Sequence, residues 1–578
     1  MRDRRNTSLS VSSTSSSTIT TTSEPLVTLQ EKRCEIAPPL SPTLPSPVTK
    51  ENRARSSRYT RSMVLRFLLS ACLLVLVCRT LGAWFMLRRD STPNIGSSSD
   101  DSTSGPDLPD HATALAVSDA FGTFTWTVSI PYNATFPLKS KQYTDLCEEG
   151  ELLQKKLRQD SRLGPLTGIR RKPSYYTVDK TFLDVGEAEA SGILPPASDI
   201  PNDVCTSSLT FLLETEDASL GKSLLMLWLS YGLAKKEGRS FFVDDTRWPY
   251  GSYASFFMPI PDQHCSLPPS HHRVPFPHQA KHLVVSTVTA PWTFGALFDR
   301  EFSATGHDHH KGIYDLVRIG YEDLFHLTDS DDAYVNTRTT SLGHDAAAHG
   351  GSVVGMHIRR GDLHPLEYQY SRDYLPHSRY GDAAKTLLRE LLPPRGHDSV
   401  VPNKPEDFSS LLSFINSPLL LASDDPDIIS SPELSSALSP FTAQKAQERI
   451  QLATKATLDL TTPKQSLREP GSAYMKHIDE NSGWEGGFYP ALFYSIGSLD
   501  KSGPDAEPDS VIPEQALRMR ELLGRAYLLD LAVLGQSDGV VCAVSSAGCR
   551  VLGVMLGWEK VVVGRWVNVD DRRGWGWR

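Results

Sequence analysis

The chain has 578 residues, 39% of them hydrophobic and 22% charged, with a net charge of −9. Such a composition supports a packed core and excludes a broadly basic nucleic-acid-binding surface, so any anionic ligand must be held by a few placed cations. Eight cysteines without a CxxC pair exclude a zinc ribbon and a disulfide-framed miniprotein, but leave room for a few bridges in an oxidising lumen.

Residues 1–62 are rich in Ser, Thr, Pro and Arg and cannot bury enough apolar surface to offset chain entropy; they are expected to be a disordered tail. Met63–Leu87 is the most apolar stretch and is expected to be a single membrane anchor, with Arg66 snorkelling near one end and Arg79 interrupting the run after Phe67–Cys78. Arg53, Arg55, Arg58 and Arg61 precede it and Arg88 and Arg89 follow, a bias that places the amino terminus in the cytosol. Residues 88–120, including SSSDDSTSGPD, are expected to form a flexible stem. Asn133-Ala134-Thr135 is a glycosylation sequon on the luminal side of that arrangement.

From Phe121 onward the pattern is globular. A helix is expected over Leu220–Lys236, strands over Arg239–Val243, Ser352–Ile358, Leu419–Ser423 and Gly539–Val544, and helices over Arg518–Gly535 and Gly548–Met555. Strand, polar loop and helix in repeated order imply parallel sheet covered on both faces, with ligands at the carboxyl ends of the strands.

The polar residues at those ends carry the chemistry. In Gly351-Ser-Val-Val-Gly-Met-His-Ile-Arg-Arg-Gly-Asp362, an apolar strand delivers His357, Arg359 and Arg360, with residues 357 and 359 on one face. A guanidinium fork suits a diphosphate; the plainer reading is a salt-bridged strand end that binds nothing. The segment from Asp530 to Ser546 places an acidic residue on a helix, then a strand ending in Ser545-Ser546, where the next helix begins. Its free N–H groups form an anion site, or Ser546 is an ordinary N-cap. Three tempting features are set aside. Asp329-Ser-Asp331 has metal-binding spacing but reads as a solvated loop. His307-Asp-His-His310 reads as a surface loop, and Arg360-Gly-Asp362 belongs to the strand-end motif rather than to adhesion.

Together these segments resemble a known family. HxRRxD after a strand, followed by LLDLxxLxxSDxxVCxxSSxxCR, is similar to the α1,6-fucosyltransferases of the α1,2/α1,6/O-fucosyltransferase superfamily. The stretches Gly221–Gly232 with Phe241-Phe-Val and Trp248-Pro-Tyr250, then Leu420-Ala-Ser-Asp-Asp-Pro, then Trp484-Glu-Gly-Gly-Phe, resemble further family motifs in the same order. The resemblance implies two Rossmann-like domains in a B-type glycosyltransferase fold, here an acceptor-side domain over 121–345 and a GDP-fucose-binding domain over 346–578. It also implies a single inverting transfer from GDP-fucose to a glycan or glycoprotein acceptor, no metal or other cofactor, and a type II Golgi membrane location with the catalytic part luminal.

By the same resemblance, Arg359 holds the β-phosphate, Ser545 and Ser546 flank the phosphate-binding helix start, and His357 and Asp530 hold guanine. Tyr250 and Gly221 lie on the donor side, Arg360 is the second arginine of the motif, and Glu367, ten residues after His357, is the catalytic base. Cys205 pairs with Cys265 and Cys542 with Cys549, leaving Cys147 over. The sequence departs from the family where Leu363 and His364 replace a lysine. It ends about twenty residues after Leu556, without room for the C-terminal SH3 domain of vertebrate α1,6-fucosyltransferases. A protein O-fucosyltransferase, an α1,2-fucosyltransferase or a catalytically dead nucleotide-sugar-binding protein are the competing readings.

Overall fold

The computed structural model describes residues 108–118, 124–160, 174–196, 203–214, 219–303, 309–360, 374–392, 416–425, 428–451, 514–570 and 573–577. The expected tail and the anchor at Met63–Leu87 lie outside them, as do Glu367, His364 and the Trp484 motif. Among the described residues no helix is long and apolar enough to cross a membrane.

The first element corrects the expected stem. Thr113–Ser118 is a strand, β1, paired antiparallel with β2 (Phe124–Ser129) from Thr113 opposite Ser129 to Ser118 opposite Phe124. The Ser- and Asp-rich composition just before it hides this pairing. β2 buries Trp126 completely, and the Thr113 hydroxyl and the Ala114 N–H both donate to Glu149 on α1 (Ser140–Asp160), at 2.8 and 3.1 Å.

Two parallel sheets follow. The first has the order β4-β3-β5, with β3 at Ser208–Leu212, β4 at Ser240–Asp244 and β5 at His282–Val285. A short helix, α2 (Val185–Ala190), precedes it. Helix α3 (Leu220–Glu237) crosses from β3 to β4. The Ser219 hydroxyl accepts the Lys222 N–H at its start, and Gly238 ends it in the left-handed region at φ 68°. Its nearly continuous apolar sequence follows from burial on all sides, since α4 (Lys311–Leu324) packs along it.

The second sheet has the order β10-β9-β6-β7-β8: β6 Val354–Ile358, β7 Leu419–Ser423, β8 Ala443–Lys445, β9 Gly539–Cys542 and β10 Trp566–Asn568. Taken in chain order within the sheet this is 3-2-1-4-5, a doubly wound arrangement whose direction of winding reverses between β6 and β9. Strand alternation divides the side chains cleanly. Val354, Met356 and Ile358 share a core with α6 (His377–Leu391). Leu420, Ala422, Val540 and Cys542 face the opposite layer, made by α7 (Glu514–Gly535) and α8 (Ala547–Leu556). His357 faces the latter.

The Asp329–Asp331 pair is not a solvated loop. Asp329 begins α5 (Asp329–Ala348), and Asp331, 2% exposed, takes a two-pronged bond from Arg525 of α7, Nε to Oδ2 at 2.8 Å and Nη2 to Oδ1 at 2.9 Å, with Arg449 Nε 3.4 Å away. The acidic first turn suits the positive end of the helix, and the buried carboxylate is committed to arginines. His309 and His310, by contrast, are exposed in a turn as expected, with His310 at the N-cap of α4, while His307 lies outside the described residues.

Helices α3 and α4 touch backbone to backbone. A Cβ on Gly320 would lie 2.2 Å from the Trp228 carbonyl oxygen, and one on Gly232 would lie 2.1 Å from that of Leu316. Gly320→Ala is therefore expected to destabilise the protein by about 1–3 kcal/mol, because overpacking against backbone outweighs the helix propensity gained, about 1 kcal/mol. An apparent melting temperature equal to or above that of the parent would show that the helices separate freely.

Candidate donor-binding site at the strand ends

The reversal point between β6 and β9 is where a doubly wound sheet opens a crevice. At the end of β6, His357 is 5% exposed and Arg359 6% exposed. The Arg360 N–H donates to Asp424 Oδ1, just past β7, at 2.6 Å, and the Arg360 guanidinium lies 4.6 Å from the centre of the Tyr374 ring. Across the crevice, β9 runs through Ala543 and Val544 into Ser545 and Ser546, both buried. Ser546 holds the N-cap position of α8 with extended backbone (φ −84°, ψ 134°).

This turn is pinned from several sides. Asn568 Oδ1 accepts the Val544 N–H at 2.9 Å, Arg550 Nε donates to the Val544 carbonyl at 2.9 Å, and a Cys542–Cys549 disulfide brackets the two serines. The Cys205–Cys265 bridge also forms, and Cys147 is a free, buried thiol whose pKa burial pushes upward. Both pairings expected from the family resemblance are thus present.

Helix α8 reaches the crevice because its second residue lacks a side chain. A Cβ on Gly548 would lie 2.9 Å from His357 Nε2 and 2.9 Å from the Tyr527 hydroxyl. Any larger residue would push the helix start away from the strand end. Tyr527 and Asp530 are three residues apart on α7 and so project from neighbouring positions on one helix face.

Asp530 lines a cavity of about 50 Å³ with Ala422, Ser423, Lys445 and Gln447, and Ala422 is the β7 partner of His357. The cavity has room for a few waters, so a base enters it only if its walls part. Asp530 keeps some exposure to this space but is otherwise surrounded by protein. Burial holds its carboxyl well above the ordinary range, opposed by a hydrogen bond from the Gln447 backbone N–H and by the Lys445 charge. A larger cavity, about 450 Å³, opens beside Val544 and is lined by Arg550, Arg573 and His310.

The expected site residues therefore separate into groups. His357, Arg359, Arg360, Ser545 and Ser546 sit at the carboxyl ends of neighbouring strands, and Asp530 faces the adjoining cavity. Gly221 lies at the second position of α3, on the first sheet. Tyr250 is fully buried, its ring packed between Trp248 and Phe256 and against Gly524, a core position rather than an open one. Glu367 is outside the described residues. Sequence reasoning did not mark Lys445, Gln447 or Arg573, which no strand-end pattern identifies. Arg550 was visible only as the last letter of the cysteine motif.

Asp530→Asn provides a test of what this carboxyl does. A raised folded-state pKa means that the protonated carboxyl favours folding and that this contribution is lost as pH rises through the raised value. The neutral amide is therefore expected to raise the melting temperature of the ligand-free protein at pH 7. If the carboxylate accepts two guanine N–H groups, the same change weakens GDP by about 10²-fold, two charge-assisted bonds being lost. In the parent, GDP affinity is then expected to rise with pH through the elevated pKa. Calorimetry that finds GDP affinity unaltered by the substitution would detach Asp530 from the base.

No protein-family model and no curated protein matches the chain. Similar solved structures include NodZ alpha-1,6-fucosyltransferase co-crystallized with GDP, 13% identical, covering 60% of this chain and 92% of that one at a TM-score of 0.26. Another is Se-Met fucosyltransferase NodZ from Bradyrhizobium, 11% identical, covering 58% and 88% at a TM-score of 0.25. Superpositions this loose carry no argument about the present chain, whose site is read from its own residues.

Proposed function

We propose that this protein is an inverting glycosyltransferase that moves fucose from GDP-fucose to a glycan hydroxyl, of α1,6-fucosyltransferase type, without a metal at the donor site. The observation that carries the reading is the meeting of His357 with the start of α8 at the reversal point of a 3-2-1-4-5 parallel sheet, with the buried Arg359 two residues further along the same chain segment. A guanidinium and a helix amino terminus are both anion-binding devices, and their presence at neighbouring strand ends suits a diphosphate leaving group.

In this reading Arg359 grips the β-phosphate through two N–H bonds, and the N–H groups around Ser545 and Ser546 take the negative charge that grows on the departing GDP. His357 and Asp530 hold guanine. Glu367 removes the proton from the acceptor hydroxyl, which attacks the sugar carbon opposite the phosphate and converts a β-linked donor to an α-fucoside. The residues 63–87 anchor the protein in the Golgi membrane, type II, with the two disulfides formed in the lumen.

The deciding experiment incubates the purified full chain with GDP-fucose and a panel of N-glycans, follows GDP release and determines the linkage of any product. Fucose on a glycan in α linkage is the expected result. Saturable GDP-fucose binding with no product on any glycan or protein acceptor would leave a nucleotide-sugar-binding protein instead.

A further inference from the structure

A second cluster lies at the amino-terminal edge of the first sheet. His271 and His272 are consecutive residues of a one-turn helix, Ser270–His272, and both reach the same carboxylate on α2. His271 Nε2 is 3.1 Å from Glu189 Oε1, and His272 Nε2 is 3.0 Å from Glu189 Oε2. His272 is buried and the other two are largely enclosed, with 11%, 9% and 7% of the side-chain surface exposed for His271, His272 and Glu189. The candidate ligand atoms lie within 4.8 Å of one another.

The position argues against a role in transfer. His272 stacks on His282, the first residue of β5, and His282 Nδ1 bonds the hydroxyl of Ser208, the first residue of β3. Ligands of parallel sheets bind at the opposite, carboxyl ends. The charge balance argues for a cation. Among the described residues Glu189 has no Lys or Arg partner; its bonds go to the two imidazoles and to the Tyr132 hydroxyl, 3.3 Å away. A carboxylate enclosed in this way requires compensating charge, which a cation held among the three groups supplies.

We propose that Glu189, His271 and His272 bind one Zn²⁺ ion, which ties α2 to the segment leading into β5. Two neutral imidazole nitrogens and one carboxylate oxygen are a recurrent zinc donor set. Bonds of about 2.0–2.1 Å in tetrahedral array separate ligand atoms by about 3.3–3.4 Å; here each imidazole nitrogen lies 3.0–3.1 Å from its own carboxylate oxygen and the whole set lies within 4.8 Å, so a small turn of the carboxylate brings one oxygen between the two rings. The Tyr132 hydroxyl is committed to the Pro195 carbonyl at 2.6 Å. The fourth position therefore falls to water from the adjoining cavity of about 280 Å³, lined by Tyr132, Asn133 and Leu194.

The test uses the full chain, stripped with chelator, dialysed and titrated with Zn²⁺ or Co²⁺. One equivalent is expected to bind at micromolar metal or below, with a four-coordinate cobalt spectrum. The H271A/H272A double variant is expected to lose at least 100-fold in affinity, while an H309A/H310A control binds like the parent. Zinc loading should raise the parent's melting temperature and leave any GDP-fucose transfer unchanged below that temperature. No saturable binding by the parent, or full binding by a folded H271A/H272A variant, overturns the site. If that variant does not fold, X-ray absorption of the zinc-loaded parent decides: two imidazole scatterers with oxygen support it, and sulfur or all-oxygen coordination overturns it. A loss of transferase activity in every preparation would strike the donor-site reading and leave these metal measurements untouched.

Discussion

Arg359→Lys is expected to cost about 2–4 kcal/mol of transition-state stabilisation, a fall in kcat/KM of roughly 30- to 1000-fold. Lysine keeps the charge but replaces a planar fork with a single point donor, so the loss measures geometry rather than net charge. The site magnifies the effect because Arg359 is almost wholly shielded from water, where a misplaced bond is not replaced by solvent. Charge develops on the leaving diphosphate during transfer, so kcat should fall more than GDP-fucose KM rises. A variant with unaltered kcat and KM would remove Arg359 from the phosphate and reduce it to a buried structural cation.

Glu367→Gln carries the larger expected loss, roughly 10²- to 10⁴-fold in kcat, the usual contribution of a general base. Glutamine preserves size and hydrogen bonding but does not accept the acceptor's proton. GDP binding should be retained, because the groups assigned to the phosphates and guanine lie at the strand ends and on α7 rather than at residue 367. Calorimetry with GDP alongside single-turnover transfer separates the two quantities. Normal turnover would move the base elsewhere, with His364 next to be tested, since its ordinary pKa near 6.5 also allows base chemistry.

The parts of the fold that were legible are those specified by local sequence. Leu419–Ser423 is found as the unbroken apolar run foretold, and Ser352–Ile358 and Gly539–Val544 lose only a residue or two at their ends, because strands buried on both faces read as continuous hydrophobic stretches. Strand β1 was missed because its Thr-Ala-Leu-Ala-Val pattern is mild and follows a run of linker-like residues; its order comes from pairing with β2. Asp331 looked like a solvated acid because the arginine that buries it lies 194 positions away. The Glu189 cluster is equally non-local: its two histidines are adjacent, but their carboxylate is 82 and 83 positions earlier. At the strand ends, sequence placed His357, Arg359 and the two serines, since alternation and a strand-to-helix turn fix them locally. The local sequence does not show how fully Tyr250 is enclosed, because that depends on Phe256 and on a glycine in a helix more than 270 residues later.

Helix α8 joins these two kinds of information mechanically. Its first turn presses on His357, while its last carbonyls are gripped by the other sheet's helix α4: the Tyr314 hydroxyl donates to Gly553 at 3.0 Å, and Arg318 Nη1 donates to Val554 and Met555 at 2.5 and 2.9 Å. Along its length, the Trp566 and Trp575 indoles donate to the Cys549 and Arg550 carbonyls, each at 2.8 Å. A strut clamped at both ends and along its side neither bends nor slides independently of its supports. The two sheets are therefore poorly suited to swing apart about this helix as the jaws of a hinge. A load applied to one end of α8 is felt as strain in α4 at the other.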